Sequence, residues 1–138
     1  MTVETVFHGG CYCGAIRYEA AGPISQESIC HCTICRKTTG APLVAWFSVP
    51  QGQFKFVQGE PSRFKSTLKG TRSFCPQCAT QLTFEHTDRA DYVDITTCSL
   101  DDANAAAPKE HIFTRSRLPW IKFGDQLPEY AKYPPTQT

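Results

Sequence analysis

Short segments in which apolar and polar residues alternate run through most of the chain, separated by glycine and proline, and they predict strands. Ile16 and Tyr18 share a face, and Gly22-Pro23 ends their segment. Residues 43–49 are almost continuously apolar and lie between Ala41-Pro42 and Pro50, which predicts a strand buried on both faces. A meander follows. Phe54 and Phe56 share a face, Gly59-Glu60-Pro61 turns, and a further segment opens at Phe64 and reaches Gly70. Leu82 and Phe84 alternate next, then Val93 and Ile95, and His111-Ile112-Phe113 predicts a last short strand. Segments at about 8–12-residue spacing are those of an all-β domain.

Three stretches break the alternation. Residues 28–40 are too polar and irregular for a core strand, and predict a loop with a helical turn over 33–38. Residues 101–108 predict a short helix capped by an aspartate, below the ~12 residues a helix needs to stand alone. Residues 119–138 are proline-rich and predict an irregular, wrapping tail. By length, residues 1–138 are expected to form one domain.

Composition narrows the function classes. A formal net charge of +1 carries no footprint for nucleic acid. No apolar run approaches the ~20 residues that span a bilayer, so no membrane association is expected. The first residues show neither a basic nor an apolar leader, so the cytoplasm is the expected location. Eight cysteines change the picture most. In a reducing compartment, thiols clustered at Cys-x-Cys and Cys-x-x-Cys spacing point to metal rather than to disulfides.

The thiols fall into groups. Cys11 and Cys13 lie among glycines, and Cys75 and Cys78 frame a Pro-Gln turn. Two such turns, far apart in sequence, can clamp one Zn2+ between them and staple the N-terminal segment to the middle of the chain. Cys30, Cys32 and Cys35 lie within six residues and can face a second ion, leaving one position open, which is the pattern of a catalytic zinc. Cys98 either supplies a fourth ligand to that ion or, lying in an apolar segment, is a small core residue, and the second role is expected. His31, between two ligands, either completes the tetrahedron or hydrogen-bonds a sulfur or substrate from outside it, and the second role is expected. Zinc with three thiolates carries a formal −1, and a bound substrate thiolate makes it −2. Arg36 and Lys37, directly behind the last ligand, either offset that charge or form a solvated pair.

Residues 9–18 (GGCYCGAIRY), 30–37 (CHCTICRK) and 75–78 (CPQC), with Ser99-Leu100-Asp101-Asp102, His111-Ile112-Phe113 and Trp120, together resemble the glutathione-dependent formaldehyde-activating enzyme family, which also contains centromere protein V. The resemblance covers nearly the whole chain. It implies an all-β, tent-like fold of small antiparallel sheets around zinc-binding turns. It implies one closed zinc on Cys11, Cys13, Cys75 and Cys78, and a second on Cys30, Cys32 and Cys35 that meets a substrate thiol. The implied activity is that of a carbon–sulfur lyase joining glutathione, or a similar small thiol, to an aldehyde such as formaldehyde. The sequence departs from the family at Ala79, where glycine is usual and positive φ would cost ~1 kcal/mol, and at Cys98.

Two other functions fit the thiols less well. A zinc-stapled protein-interaction module without catalysis would need only the four-thiol site. A redox role would use Cys32 and Cys35, but no βαβ pattern surrounds them.

Overall fold

The computed structural model describes residues 5–135. Strands β1 (Val6–Gly10) and β2 (Arg17–Ala21) form an antiparallel hairpin, and β5 (Phe54–Gln58) adds to β2 as the third strand of a small sheet. The other sheet has seven strands. They are β3 (Ser25–Cys30), β4 (Val44–Pro50), β6 (Ser62–Lys65), β7 (Gly70–Phe74), β8 (Gln81–His86), β9 (Tyr92–Thr96) and β10 (Glu110–Ile112), in the order β10-β3-β4-β9-β8-β7-β6. All neighbours are antiparallel except β10, which runs parallel to β3. The all-β expectation holds, and β4 is buried along most of its length as its apolar run predicts.

Alternation gives the large sheet two different faces. Phe47 and Val49 of β4 pair with Ile95 and Val93 of β9, and these four point into the main core. Tyr18 and Ala20 of the small sheet pack against them, with Phe54 and Phe56 at the edge. Such apolar side chains each contribute roughly 1.5–3 kcal/mol when fully buried. The intervening residues face the other way. There Cys30, Trp46 and Phe84 belong to a second apolar cluster.

Four local expectations meet corrections. The stretch expected to be a loop from residue 28 is strand as far as Cys30, because β3 lies between β4 and β10 and its backbone is paired on both sides. The helical turn is longer than expected and forms α1 (Thr33–Thr39), closed by Gly40 at φ 70°. Leu82 and Phe84 do not share a face: the β7–β8 register steps from Ser73–Thr83 to Phe74–Gln81, a bulge that sends Leu82 to the main core and leaves Phe84 on the opposite side. Cys98 is exposed, in a 3-10 turn (Thr97–Ser99) rather than a strand.

The short helix is a 3-10 turn, Ala103–Ala106, and Asp102 caps it by accepting from the Asn104 N–H. Residues 119–135 of the tail are mostly irregular. Its backbone bonds β10 at both Pro128 and Tyr130, and Tyr133 packs edge-on against Phe113. Among the described residues no helix is long and apolar enough to cross a membrane.

Candidate metal centres and the cavity

Two groups of thiols assemble. The sulfurs of Cys11, Cys13, Cys75 and Cys78 all lie within 4.8 Å of one another. The β1–β2 connection supplies the first pair, and the turn between β7 and β8 supplies the second. Gly10 allows the first turn to close, since a Cβ there would sit 2.2 Å from the Ile16 carbonyl oxygen. Ala79 closes the second in the left-handed region, at φ 67°, the conformation in which alanine costs ~1 kcal/mol relative to glycine. The Tyr12 N–H donates to Thr80 Oγ1 at 3.1 Å and ties the two turns together.

Charge is provided for at these sulfurs. The Ile16 N–H points at Cys11 Sγ (3.2 Å), and the Gln77 and Cys78 N–H groups point at Cys75 Sγ (3.3 and 3.4 Å). Thr80, through its hydroxyl and its amide, holds the Cys78 thiol down to about 5. Sulfur–sulfur separations of 3.6 Å for Cys11–Cys13 and 3.8 Å for Cys13–Cys75 match the ~3.8 Å edge of a tetrahedron with ~2.3 Å bonds. The donor set and its spacing therefore fit a metal ion.

Cys30, Cys32 and Cys35 form the second group, also within 4.8 Å. Cys30 ends β3, and Cys32 caps α1, its sulfur accepting from the Cys35 N–H at 3.2 Å. Cys35 follows one turn along the helix, with its sulfur 3.4 Å from that of Cys30. Hydrogen bonds from Cys30 and then Cys35 hold the Cys32 thiol down to about 2, while Cys32, Cys35 and burial push Cys30 up. This group too could hold a metal ion, and no fourth sulfur joins it among the described residues.

The trio opens onto a cavity of about 300 Å3 on the second face of the large sheet, lined also by Trp46, Arg72 and Phe84. Arg72 is the unexpected member. It is 3% exposed, with its guanidinium 4.7 Å from the Phe84 ring centre, Nε 3.2 Å from Ser66 Oγ and Nη2 3.8 Å from Cys35 Sγ. Its Nη1 is buried without a partner, and no carboxylate pairs with it among the described residues. A buried guanidinium stays protonated and requires an anion. Cys35 Sγ is the sulfur it reaches, and a metal ion on the trio would make that sulfur a thiolate.

Arg36 and Lys37 lie elsewhere. Arg36 Nη1 donates to the Ser116 carbonyl, and both residues line a shallow groove with Pro42, Leu118 and Trp120. The helix rotates them off the cavity. His31 is not part of the sulfur group. It is fully buried, and its Nε2 is 3.1 Å from His111 Nδ1, while His111 Nε2 is 2.9 Å from Asp125 Oδ2. His31 Nδ1 is buried without a partner. This chain fixes the segment between Cys30 and Cys32 against the tail, with the Phe123 ring tilted against His111 at 4.1 Å between ring centres.

Residues 6–116 match the family model described as glutathione-dependent formaldehyde-activating enzyme. The chain belongs to that family. A protein of Halomonas elongata provisionally named for the same activity is 25% identical over 94% of this chain and 89% of its own. An uncharacterized lyase of Schizosaccharomyces pombe is 32% identical over 59% of each chain. A crystal structure of a Rhodobacter sphaeroides protein shares the fold, with a TM-score of 0.57 at 16% identity, over 89% of this chain and 98% of that one. The matched residues contain both thiol groups and Arg72.

The sequence reading missed Arg72 and the Asp125–His111–His31 chain. One signal was available for Arg72: a cation at an inward position of an otherwise buried strand. Only the register opposite Phe84 shows what it faces.

Proposed function

We propose that this chain is one zinc-binding β domain acting as a carbon–sulfur lyase, which adds a glutathione-like thiol to a small aldehyde such as formaldehyde. Cys11, Cys13, Cys75 and Cys78 would hold a structural zinc, and Cys30, Cys32 and Cys35 a catalytic one. Eight thiols without a disulfide suit a reducing compartment such as the cytoplasm. One observation carries the reading: three clustered thiols line a cavity beside a buried arginine that pairs with no carboxylate among the described residues.

Cys30, Cys32 and Cys35 would hold a zinc ion, whose Lewis acidity would lower the pKa of a guest thiol. The chain's own residues do the rest. Trp46 and Phe84 wall the cavity with apolar surface and keep bulk water from the nucleophile. Arg72 offsets the added negative charge, which makes room for a fourth thiolate. The guest sulfur forms a bond to the aldehyde carbon, the carbonyl π bond breaks toward oxygen, and that oxygen takes up a proton equivalent to the one the thiol released. No oxidant or reductant enters.

The test is a cobalt(II)-substituted chain titrated with glutathione. The expected result is a change in the visible ligand-field bands that saturates with thiol and is absent with S-methylglutathione. Bands that stay unchanged at saturating glutathione would refute the reading. Arg72→Met is expected to keep both metal ions and weaken glutathione binding by roughly tenfold to a hundredfold, the ~1.5–3 kcal/mol of a hydrogen bond to a charged group. Metal content and calorimetry on the same sample read both effects.

A further inference from the structure

The cavity has a second polar end. At the thiol end Cys30 of β3 pairs with Val44 of β4, and farther along β4 Ser48 pairs with Asp94 of β9. Val44 and Ser48 are four residues apart on one strand, so the two levels are ~13 Å apart on the same face. At the far level Ser48 Oγ donates to Asp94 Oδ1 at 2.5 Å, and Arg89 Nη1 donates to Asp94 Oδ2 at 3.2 Å. Ser48, Arg89 and Asp94 all line the same cavity as the thiols.

This pair is neither sealed nor freely solvated, with side chains 23% and 17% exposed. Its hydrogen bonding is also incomplete. Arg89 Nη2 is enclosed without a partner, and a carboxylate with two protein donors has lone pairs to spare. A guanidinium and a carboxylate side by side on the cavity wall, the carboxylate with lone pairs to spare, are complementary to a group carrying both an ammonium and a carboxylate on one carbon. Length agrees as well. A guest sulfur touching the three thiols stands ~4 Å from them, and an extended γ-glutamylcysteinyl arm carries its amine ~9 Å beyond that sulfur.

We propose that Asp94 and Arg89, with Ser48, bind the α-amino-acid head of the thiol substrate, its ammonium on Asp94 and its carboxylate on Arg89, and so select γ-glutamyl thiols over plain ones. This rests on the reading above only in placing the guest sulfur at the trio. It assigns the pair a role that a salt bridge holding the Thr87–Arg89 turn against β9 would not have.

Calorimetry on the zinc-loaded chain tests it with S-methylglutathione and its N-acetyl derivative, ligands without a free thiol and used without aldehyde. The wild-type chain is expected to prefer the free amine by about tenfold or more, the size of one charged hydrogen bond. Asp94→Asn should abolish that preference while holding the N-acetyl ligand within about twofold of wild type. Arg89→Gln should weaken both ligands. Equal affinity of the wild-type chain for both ligands, no binding of either, or a preference that survives Asp94→Asn would overturn the proposal. The wild-type comparison decides even where a variant fails to fold. A chain that prefers the amine but shows no aldehyde chemistry refutes the lyase reading alone, and an active chain without the preference refutes this one alone.

Discussion

Cys32→Ser is expected to lower glutathione-dependent turnover of formaldehyde by about a thousandfold or more, ~4 kcal/mol in the barrier, while the fold survives. The argument is local. Cys32 is the N-cap of α1, and its sulfur accepts the Cys35 N–H. Serine is among the preferred N-cap residues and accepts the same N–H through its hydroxyl. The helix keeps its start, and Cys35 keeps its place one turn later. What is lost is the ligand, because a neutral hydroxyl is a poor substitute for a thiolate on a soft ion. Zinc per chain should therefore fall from two to one, with the melting temperature within a few degrees of wild type. Two ions retained by the variant, or turnover within tenfold of wild type, would sink the assignment of the trio. Cys30→Ser is a poorer experiment, since Cys30 is buried in a strand paired on both sides and a new hydroxyl there would need its own partner.

Much of this was legible in the residues. Cysteine spacing announces the two sulfur groups, and the glycines before Cys11 announce the tight turn that aims amides at sulfur. Val93 and Ile95 declare their shared face by period alone, and Asp102 declares its cap. What stayed hidden depends on pairings between distant strands. Nothing local says that Arg72 lies across from Phe84, or that Asp94 shares a level with Ser48. The sequence points to Arg36 because it is adjacent to Cys35, but adjacency on a helix is a rotation of ~100°, which takes its side chain to Ser116. Leu82 and Phe84 mislead for a related reason, since a bulge reverses the alternation and leaves no mark in composition. Cys98 misleads because an apolar neighbourhood continues into a turn that exposes it. The cations at the cavity are thus the part of the site that chain order conceals, although the thiols are the part it displays.

Cys75→Ser is expected to have the opposite signature. Zinc per chain should again fall from two to one, but stability should drop by at least ~4 kcal/mol, or ~15 °C in Tm for a domain of this size. Cys75 is fully buried in the main core, where its sulfur receives two backbone N–H groups. Those donors orient around a sulfur, and a serine oxygen with a shorter bond to Cβ does not reach all of them. The larger loss is the metal. Apparent binding free energies of structural zinc are ~10–16 kcal/mol at neutral pH, comparable to the whole stability of an ordinary domain. The four-thiol group also joins segments more than sixty residues apart, as Cys13 and Cys75 show. Without it the β1–β2 hairpin and the β7–β8 turn are held together by the Tyr12–Thr80 contact and by core packing. The loss of stability should carry the trio's zinc with it on warming, because β3 and α1 depend on the sheet that the hairpin covers. Cys98→Ser is the matched control: an exposed thiol outside both groups, it should change neither metal content nor Tm. A Cys75→Ser chain that melts within ~3 °C of wild type would show that this zinc is not what holds the sheets together.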